Sequence, residues 1–286
     1  MTAPNALSHK ENLWAFLQMR PRTDVEVPVS WLLPLLASYL IWGAVAVAWW
    51  SEGAGVGSGD LSLVMNGLVF FGLTISAAAS YVLYTLMNRG NKHSGRARAL
   101  LSGAIGTLEV RTRFSGQHVL LPLNSAEDGY YKLLHEERER SAVLWALLAL
   151  IPFVGWIFLV TAQWLLSRDL AKHDRLEAAV LEDIDRTLRT AGLQGIPIEN
   201  ARIRAHDVLG FAVVVALLSE LFSAIFLGMP GSLVLIYLTV GAFSLLWLDL
   251  SIRGPAVHFD YHAQFEAGII EALPEAGAGT GNVGVA

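Results

Sequence analysis

Four histidines are the residues whose type and spacing most clearly allow chemistry. His258 and His262 lie four residues apart in HFDYHAQFE, so a helix would present both on one face, as many metal sites do. Asp260 and Glu266 are close by in the sequence. These residues could bind a metal ion, but histidines at a membrane surface more commonly cap helices or pair with carboxylates. The sequence favours that second interpretation, and we expect no cofactor.

His93 and His173 occupy positions that match His258. The spacing from His93 to His173 is 80 residues, and the spacing from His173 to His258 is 85. Each histidine follows an aromatic residue and precedes, by fifteen positions, a leucine: the aromatic residues are Tyr84, Trp164 and Trp247, and the leucines are Leu108, Leu188 and Leu273. We interpret this pattern as a threefold internal repeat, in which the three histidines are pseudo-equivalent and could meet.

Each repeated unit is predicted to be a membrane hairpin whose outgoing helix passes the histidine and continues in the cytoplasm. An uninterrupted helix is expected for at least two turns beyond each histidine, because a break at the membrane surface would leave backbone groups without partners. Gly254–Pro255 is the weak point, since proline removes a backbone donor. The second unit has apolar positions at helical spacing that could pack on the other units or lie on lipid: Leu170, Val180, Leu181, Ile184 and Leu188.

The composition predicts an all-α, polytopic membrane protein. The 286-residue chain is 54% hydrophobic and 16% charged, with a mean hydropathy of +0.48, whereas soluble domains carry about 25% charged residues. Residues 31–50 and 61–88 are charge-free and long enough to cross a bilayer of about 30 Å. Residues 208–248 contain one charged residue, and a predicted break near 228–232 separates them into two spans. Together with 31–50 and 61–88, they give about four long spans. The absence of cysteine excludes disulfides and thiolate metal sites.

Residues 141–167 could form one tilted span or a short hairpin that turns at Pro152–Gly155. Cytoplasmic segments are rich in lysine and arginine. Of the 20 basic residues, three lie in segment 1–29, nine in 89–140, seven in 168–204 and one in 249–286. A hairpin leaves all of them on one side, whereas a single span divides them. The sequence therefore favours a re-entrant hairpin.

Three polar residues in the apolar segments are candidate functional groups. Glu220 lies deep in the run from 208 to 248, where an ionisable group is costly and is a functional candidate by default. Asn66 and Gln163 could reach it if their helices pack suitably. The simpler interpretation is that Glu220 is a protonated or hydrogen-bonded packing residue, because no embedded second acid or base accompanies it.

The chain divides into seven predicted segments. Residues 1–29 form a cytoplasmic tail with a surface helix from Ser8 to Arg20 that Pro21 ends. The other segments are a first repeat at 30–110, a cytoplasmic connector at 111–140, a second repeat at 141–192, a connector at 193–206, a third repeat at 207–273 and a disordered tail at 274–286.

No catalytic motif is present. The sequence has no phosphate-binding loop, nucleophile elbow or dinucleotide fingerprint, and HEERER at 135–140 lacks the HExxH spacing. We therefore expect a non-enzymatic scaffold, accessory subunit or membrane-organising element of the cell membrane, with both termini cytoplasmic. Its expected partners are the lipid bilayer and either copies of itself or a larger membrane complex, and not nucleic acid. The alternative is a small transporter or channel that uses Glu220.

Overall fold

The protein is described by a computed structural model that covers residues 15–16, 18–24, 27–33, 36–37, 39–41, 44, 58–113, 115–151, 155–198, 215 and 230–273. Helices dominate these residues and none of them lies in a β-strand, so the predicted all-α class is confirmed for this part of the chain. Glu220, the tail at 274–286, the side chain of Asn66 and most of the first predicted span lie outside the described residues. No helix of the described residues combines the length and the apolar character that crossing a membrane requires.

Three long helices carry the repeated histidines. Helix α2 runs from Ser58–Thr112 (55 residues), α5 from Gly155–Thr190 (36 residues) and α6 from Pro230–Ala272 (43 residues). Each of them continues for more than two turns beyond its histidine, as predicted from the need to keep backbone groups bonded. The helices therefore carry the histidines on rigid supports.

Pro255 lies inside α6 without ending it. Proline cannot donate to the carbonyl four residues earlier, which here belongs to Ser251. That carbonyl accepts a hydrogen bond from Nη2 of Arg89 on α2 instead, at 3.1 Å. The predicted weak point is thus bridged by a contact between α2 and α6, the long helices of the first and third predicted repeats.

Shorter elements connect and cover the long helices. They are α1 (Arg20–Thr23), a 3₁₀ turn (Val29–Trp31), α3 (Gln117–Glu136) and α4 (Ala142–Ala149). Pro21 lies in the first turn of α1, where a missing N–H costs no hydrogen bond. Most of the helix predicted from Ser8 to Arg20 lies outside the described residues, so the prediction that Pro21 ends it stays a prediction. Ser141 caps α4 by accepting a hydrogen bond from the backbone N–H of Leu144 at 3.2 Å.

The chain reverses direction between α4 and α5. Arg140, which precedes α4, forms an ion pair with Asp169 on α5. At the other end of α4, Ala149 lies close to Gly155. A Cβ added to Gly155 would lie 2.2 Å from the carbonyl oxygen of Ala149. Residues 141–167 are therefore not one continuous helix, and their packing agrees with the fold-back that the charge distribution favours.

Beyond the histidines, the long helices and α3 share one hydrophobic core. Leu100, Leu101 and Leu108 of α2 pack with Phe265 and Ile269 of α6. The amphipathic stretch of α5 contributes the buried residues Val180, Leu181, Ile184 and Leu188, as the helical spacing predicted, whereas Leu170 is only half-buried. This core fixes the positions of the three long helices and hence of the side chains at the histidines.

Candidate metal centre

The four histidines meet in one buried cluster, which we call the histidine cluster: His93 of α2, His173 of α5, and His258 and His262 of α6. The ring centroids of the three repeated histidines are 5.1–5.4 Å apart, close to an equilateral triangle. His262 lies one helical turn from His258, with its ring centroid 4.5 Å from that of His93. One nitrogen of each of the four side chains lies within 4.8 Å of the other three, and all four residues are buried.

A carboxylate holds the outer nitrogen of each repeated histidine. Nδ1 of His93 is 2.8 Å from Asp24, and Nδ1 of His258 is 3.0 Å from Asp174. Nδ1 of His173 contacts Glu137. Nε2 of all three histidines has no hydrogen-bond partner among the described residues. A carboxylate on the far nitrogen fixes the tautomer and the ring orientation of a histidine that ligates a metal, and raises its basicity.

Glu177 lies in the middle of the histidine cluster. Its Oε2 is 2.6 Å from Nε2 of His262, 3.5 Å from Nε2 of His173 and 3.6 Å from Nε2 of His258. Its other oxygen, Oε1, has no hydrogen-bond partner within the described part of the chain. Glu177 is therefore placed to complete a coordination sphere made of imidazole nitrogens.

Acidic side chains surround the cluster. The five carboxylates are those of Asp24, Glu137, Asp174, Glu177 and Glu266. Arg96 binds Asp24 and Glu266, Arg20 lies 3.7 Å from Asp24, and Arg98 lies 3.6 Å from Glu137. Asp174 and Glu177 contact histidines, and a cation at the middle of the four imidazoles would add positive charge beside these two buried carboxylates.

The ionisation of the imidazoles follows their surroundings. Burial lowers the pKa of His93 well below its ordinary value, and it also lowers the pKa of His258. Burial acts in the same direction on His262, but Glu177 and Glu266 outweigh it and raise the pKa of His262 to about 9. In the same pair, burial raises the pKa of Glu177, and the neighbouring histidines reverse this and bring it to about 2. His262 is therefore an imidazolium, and its positive charge lies among the carboxylates. A metal ion would bring positive charge to the same place.

The donor set suits a divalent first-row transition metal. Imidazole nitrogens with a carboxylate oxygen bind zinc at about 2.0–2.2 Å and also suit iron, cobalt, nickel and copper. The ligating faces are fully enclosed, because the unpaired nitrogens of all four histidines are inaccessible to solvent. In a structural zinc site four protein ligands fill the coordination sphere, whereas a catalytic site keeps one position for water or substrate.

The other predicted polar residues do not join the cluster. Gln163 is fully buried on α5, ten residues before His173, and its amide atoms have no hydrogen-bond partner among the described residues. Asp260 is exposed, whereas Glu266 is buried against Arg96. Glu220 lies outside the described residues, so its relation to Gln163 and Asn66 stays a prediction.

The supporting carboxylates are what reasoning from the sequence missed. Glu177 follows His173 by four residues, the spacing already noted between His258 and His262, so the pattern held a usable signal. Asp24 and Glu137 have no local signal, because they lie 69 and 36 residues from the histidines they bind. Two interpretations from the sequence fit these contacts. In each of His93, His173 and His258, one ring nitrogen pairs with a carboxylate, as expected for histidines paired with acids. The other ring nitrogen faces inward, as the metal interpretation requires.

Comparison of the chain with protein-family models, with curated proteins and with solved structures finds no match.

Proposed function

We propose that this protein is a non-enzymatic membrane scaffold whose cytoplasmic helices are joined by a structural metal centre. The observation that carries the proposal is the set of four buried histidines, one ring nitrogen of each lying within 4.8 Å of the other three, while Nε2 of His93, His173 and His258 has no hydrogen-bond partner among the described residues. A divalent transition-metal ion bound there takes ligands from His93, His173 and His258, with Glu177 or His262 completing the sphere. Each of the three long helices thereby supplies at least one ligand, and the metal ion cross-links them.

The enclosure of the centre supports a structural role over a catalytic one. A substrate would need an open coordination position, and His93, His173 and His258 with Glu177 or His262 would fill all four positions of a tetrahedral ion. The carboxylates extend the cross-link to the segment before the first predicted span, through Asp24, and to the end of α3, through Glu137. The metal ion would then fix five parts of the chain relative to one another, as a scaffold requires.

The polytopic arrangement is part of the proposal. It is supported by the composition and by the location of the exposed apolar side chains, most of which lie in the segments predicted to contact lipid. Examples are Leu33, Leu36, Leu40, Tyr81, Leu144, Leu147, Ile157 and Leu246. Such exposed apolar surface suits contact with acyl chains or with a partner in the bilayer. The histidine cluster follows these segments along all three long helices, at the predicted cytoplasmic face.

The metal content of the purified protein tests the proposal. The protein is extracted with detergent from membranes that have been washed with alkaline carbonate, and its metals are quantified by plasma mass spectrometry. We expect the protein to resist the wash and to carry about one zinc or other first-row metal ion per chain. Release of the protein by the wash contradicts the membrane proposal, and a metal content far below one ion per chain, after growth with added zinc and iron, contradicts the metal centre.

A further inference from the structure

A cavity of about 520 Å³ lies beside the histidine cluster, between α2, α5, α6 and the turn from α3 to α4. The rings of His93 and His173 form part of its wall, but their unpaired nitrogens are inaccessible to solvent. The cavity is therefore a neighbouring site with its own lining, separate from the proposed metal-binding position.

Positive charge predominates in the lining. Six cations line the cavity against four carboxylates: the cations are Arg89, Arg98, Arg138, Arg140, Arg168 and Lys172, and the carboxylates are Glu136, Glu137, Glu139 and Asp169. Every one of these carboxylates already contacts a cation, because Lys172 binds Glu136, Arg98 contacts Glu137 and Glu139, and Arg140 binds Asp169. Of the six cations, Arg138 and Arg168 make no ion pair with a carboxylate of the described residues and can bind an anion.

Two arginines at the mouth of the cavity are placed to bind such an anion. Arg138 and Arg168 are exposed and make no ion pair with a carboxylate of the described residues. The guanidinium of Arg168 lies over the ring of Trp164, 5.5 Å from its centroid, which restricts its position. An arginine presents several N–H donors in a fixed plane that matches the oxygens of a phosphate group.

The interior of the cavity adds a buried cation and an apolar wall. Arg89 is buried there, over the ring of Phe259 and hydrogen-bonded to the Ser251 carbonyl that Pro255 leaves without its helical donor. Burial lowers the pKa of Arg89 to about 10, so it stays charged at neutral pH. The apolar wall comes from the ends of the predicted spans: Leu86, Met87, Leu165, Leu166 and Leu250.

We infer that this cavity binds a phosphate group, and that its apolar wall takes the chain of the anionic phospholipid that carries it. The arginines would hold the phosphate oxygens where the helices leave the predicted membrane segments. The lipid source rests on the proposed membrane function, whereas the phosphate site itself depends only on the cavity. Basic residues at the cytoplasmic end of membrane helices are a general means of binding anionic headgroups.

The test compares two double variants that remove the same charge from α5 and its surroundings. The first is Arg138→Gln with Arg168→Gln, in the cavity. The control is Arg175→Gln with Arg186→Gln, two exposed arginines of α5 outside it. Binding of phosphatidylglycerol, phosphatidylcholine and glycerol 3-phosphate to the detergent-solubilised full chain is measured by native mass spectrometry, together with the zinc content of each variant.

We expect the cavity variant to bind phosphatidylglycerol about tenfold more weakly than wild type, while the control variant and the zinc content stay unchanged. If wild type binds phosphatidylglycerol at least tenfold more tightly than it binds glycerol 3-phosphate, the lipid source is supported. If the two ligands bind with equal affinity and both still depend on the arginines, the lipid source is overturned and the phosphate site alone is supported. An equal loss in both variants, or no binding by wild type, overturns the site. Because zinc is measured independently, failure of the phosphate site is distinguishable from failure of the metal centre.

Discussion

Removal of the metal ion lowers the unfolding temperature of the detergent-solubilised protein by roughly 10 °C. A ligand present at about 1,000 times its dissociation constant stabilises the folded state by about 4.1 kcal/mol, and about 1 kcal/mol shifts the unfolding temperature of a chain somewhat smaller than this one by roughly 2–4 °C. The physical reason is local, since the proposed ion would join α2, α5 and α6 through buried imidazoles. The measurement is thermal unfolding followed by circular dichroism, before and after extraction with phenanthroline.

Restoration by the metal ion is the control for this experiment. Zinc added to the extracted protein at one equivalent should return the original unfolding temperature, whereas magnesium should not, because magnesium prefers a shell of oxygen ligands and water. Extraction should be slow, since the chelator reaches the enclosed nitrogens only when the helices open transiently. Equal unfolding temperatures for loaded and extracted protein would show that the cluster is stable through its ion pairs alone.

The second large effect is expected for His258→Gln. This substitution removes the imidazole that α6 contributes to the triangle, and we expect zinc affinity to fall by more than about 100-fold, beyond the roughly 10–100-fold typical for loss of a group that only orients a ligand. The metal content after dialysis against a competing chelator measures the change. The matched control is His118→Gln, which changes an exposed histidine of α3 outside the cluster.

A graded series distinguishes a metal ligand from a packing residue. Asp174 contacts Nδ1 of His258, so Asp174→Asn keeps the size of the side chain and removes its charge. We expect zinc to bind about 10–100-fold more weakly in this variant, with helix content unchanged. Zinc affinity that is the same in wild type, His258→Gln and Asp174→Asn would contradict the assignment of this histidine as a ligand.

Helical architecture was predictable here because it depends on local chemistry. The unbroken course of α2, α5 and α6 past their histidines follows from the cost of unpaired backbone groups, and the buried positions Val180, Leu181, Ile184 and Leu188 follow from helical spacing. The short helix α1 was not predicted, although proline is compatible with the first turn of a helix as well as with the residue after its end.

The histidine cluster was only partly predictable because its parts come from distant segments. The pseudo-equivalence of His93, His173 and His258 raised the possibility that they meet, but spacing alone could not exclude surface histidines that pair with carboxylates. Asp24 reaches His93 from before the first predicted span, and no local pattern marks that contact. Only the tertiary arrangement shows that one nitrogen of each of these rings is bonded and the other faces its neighbours.

X-ray absorption at the zinc edge of the zinc-loaded, full-length protein tests the central claim most directly. The proposed centre predicts a first shell of three or four imidazole nitrogens at about 2.0–2.1 Å, with at most one carboxylate oxygen, and the multiple-scattering features of histidine rings. The same measurement on His258→Gln, forced to bind zinc at high concentration, should show fewer imidazole contributions. A first shell made only of oxygen atoms, or one that is identical in the two proteins, would contradict a metal centre built from the histidine cluster.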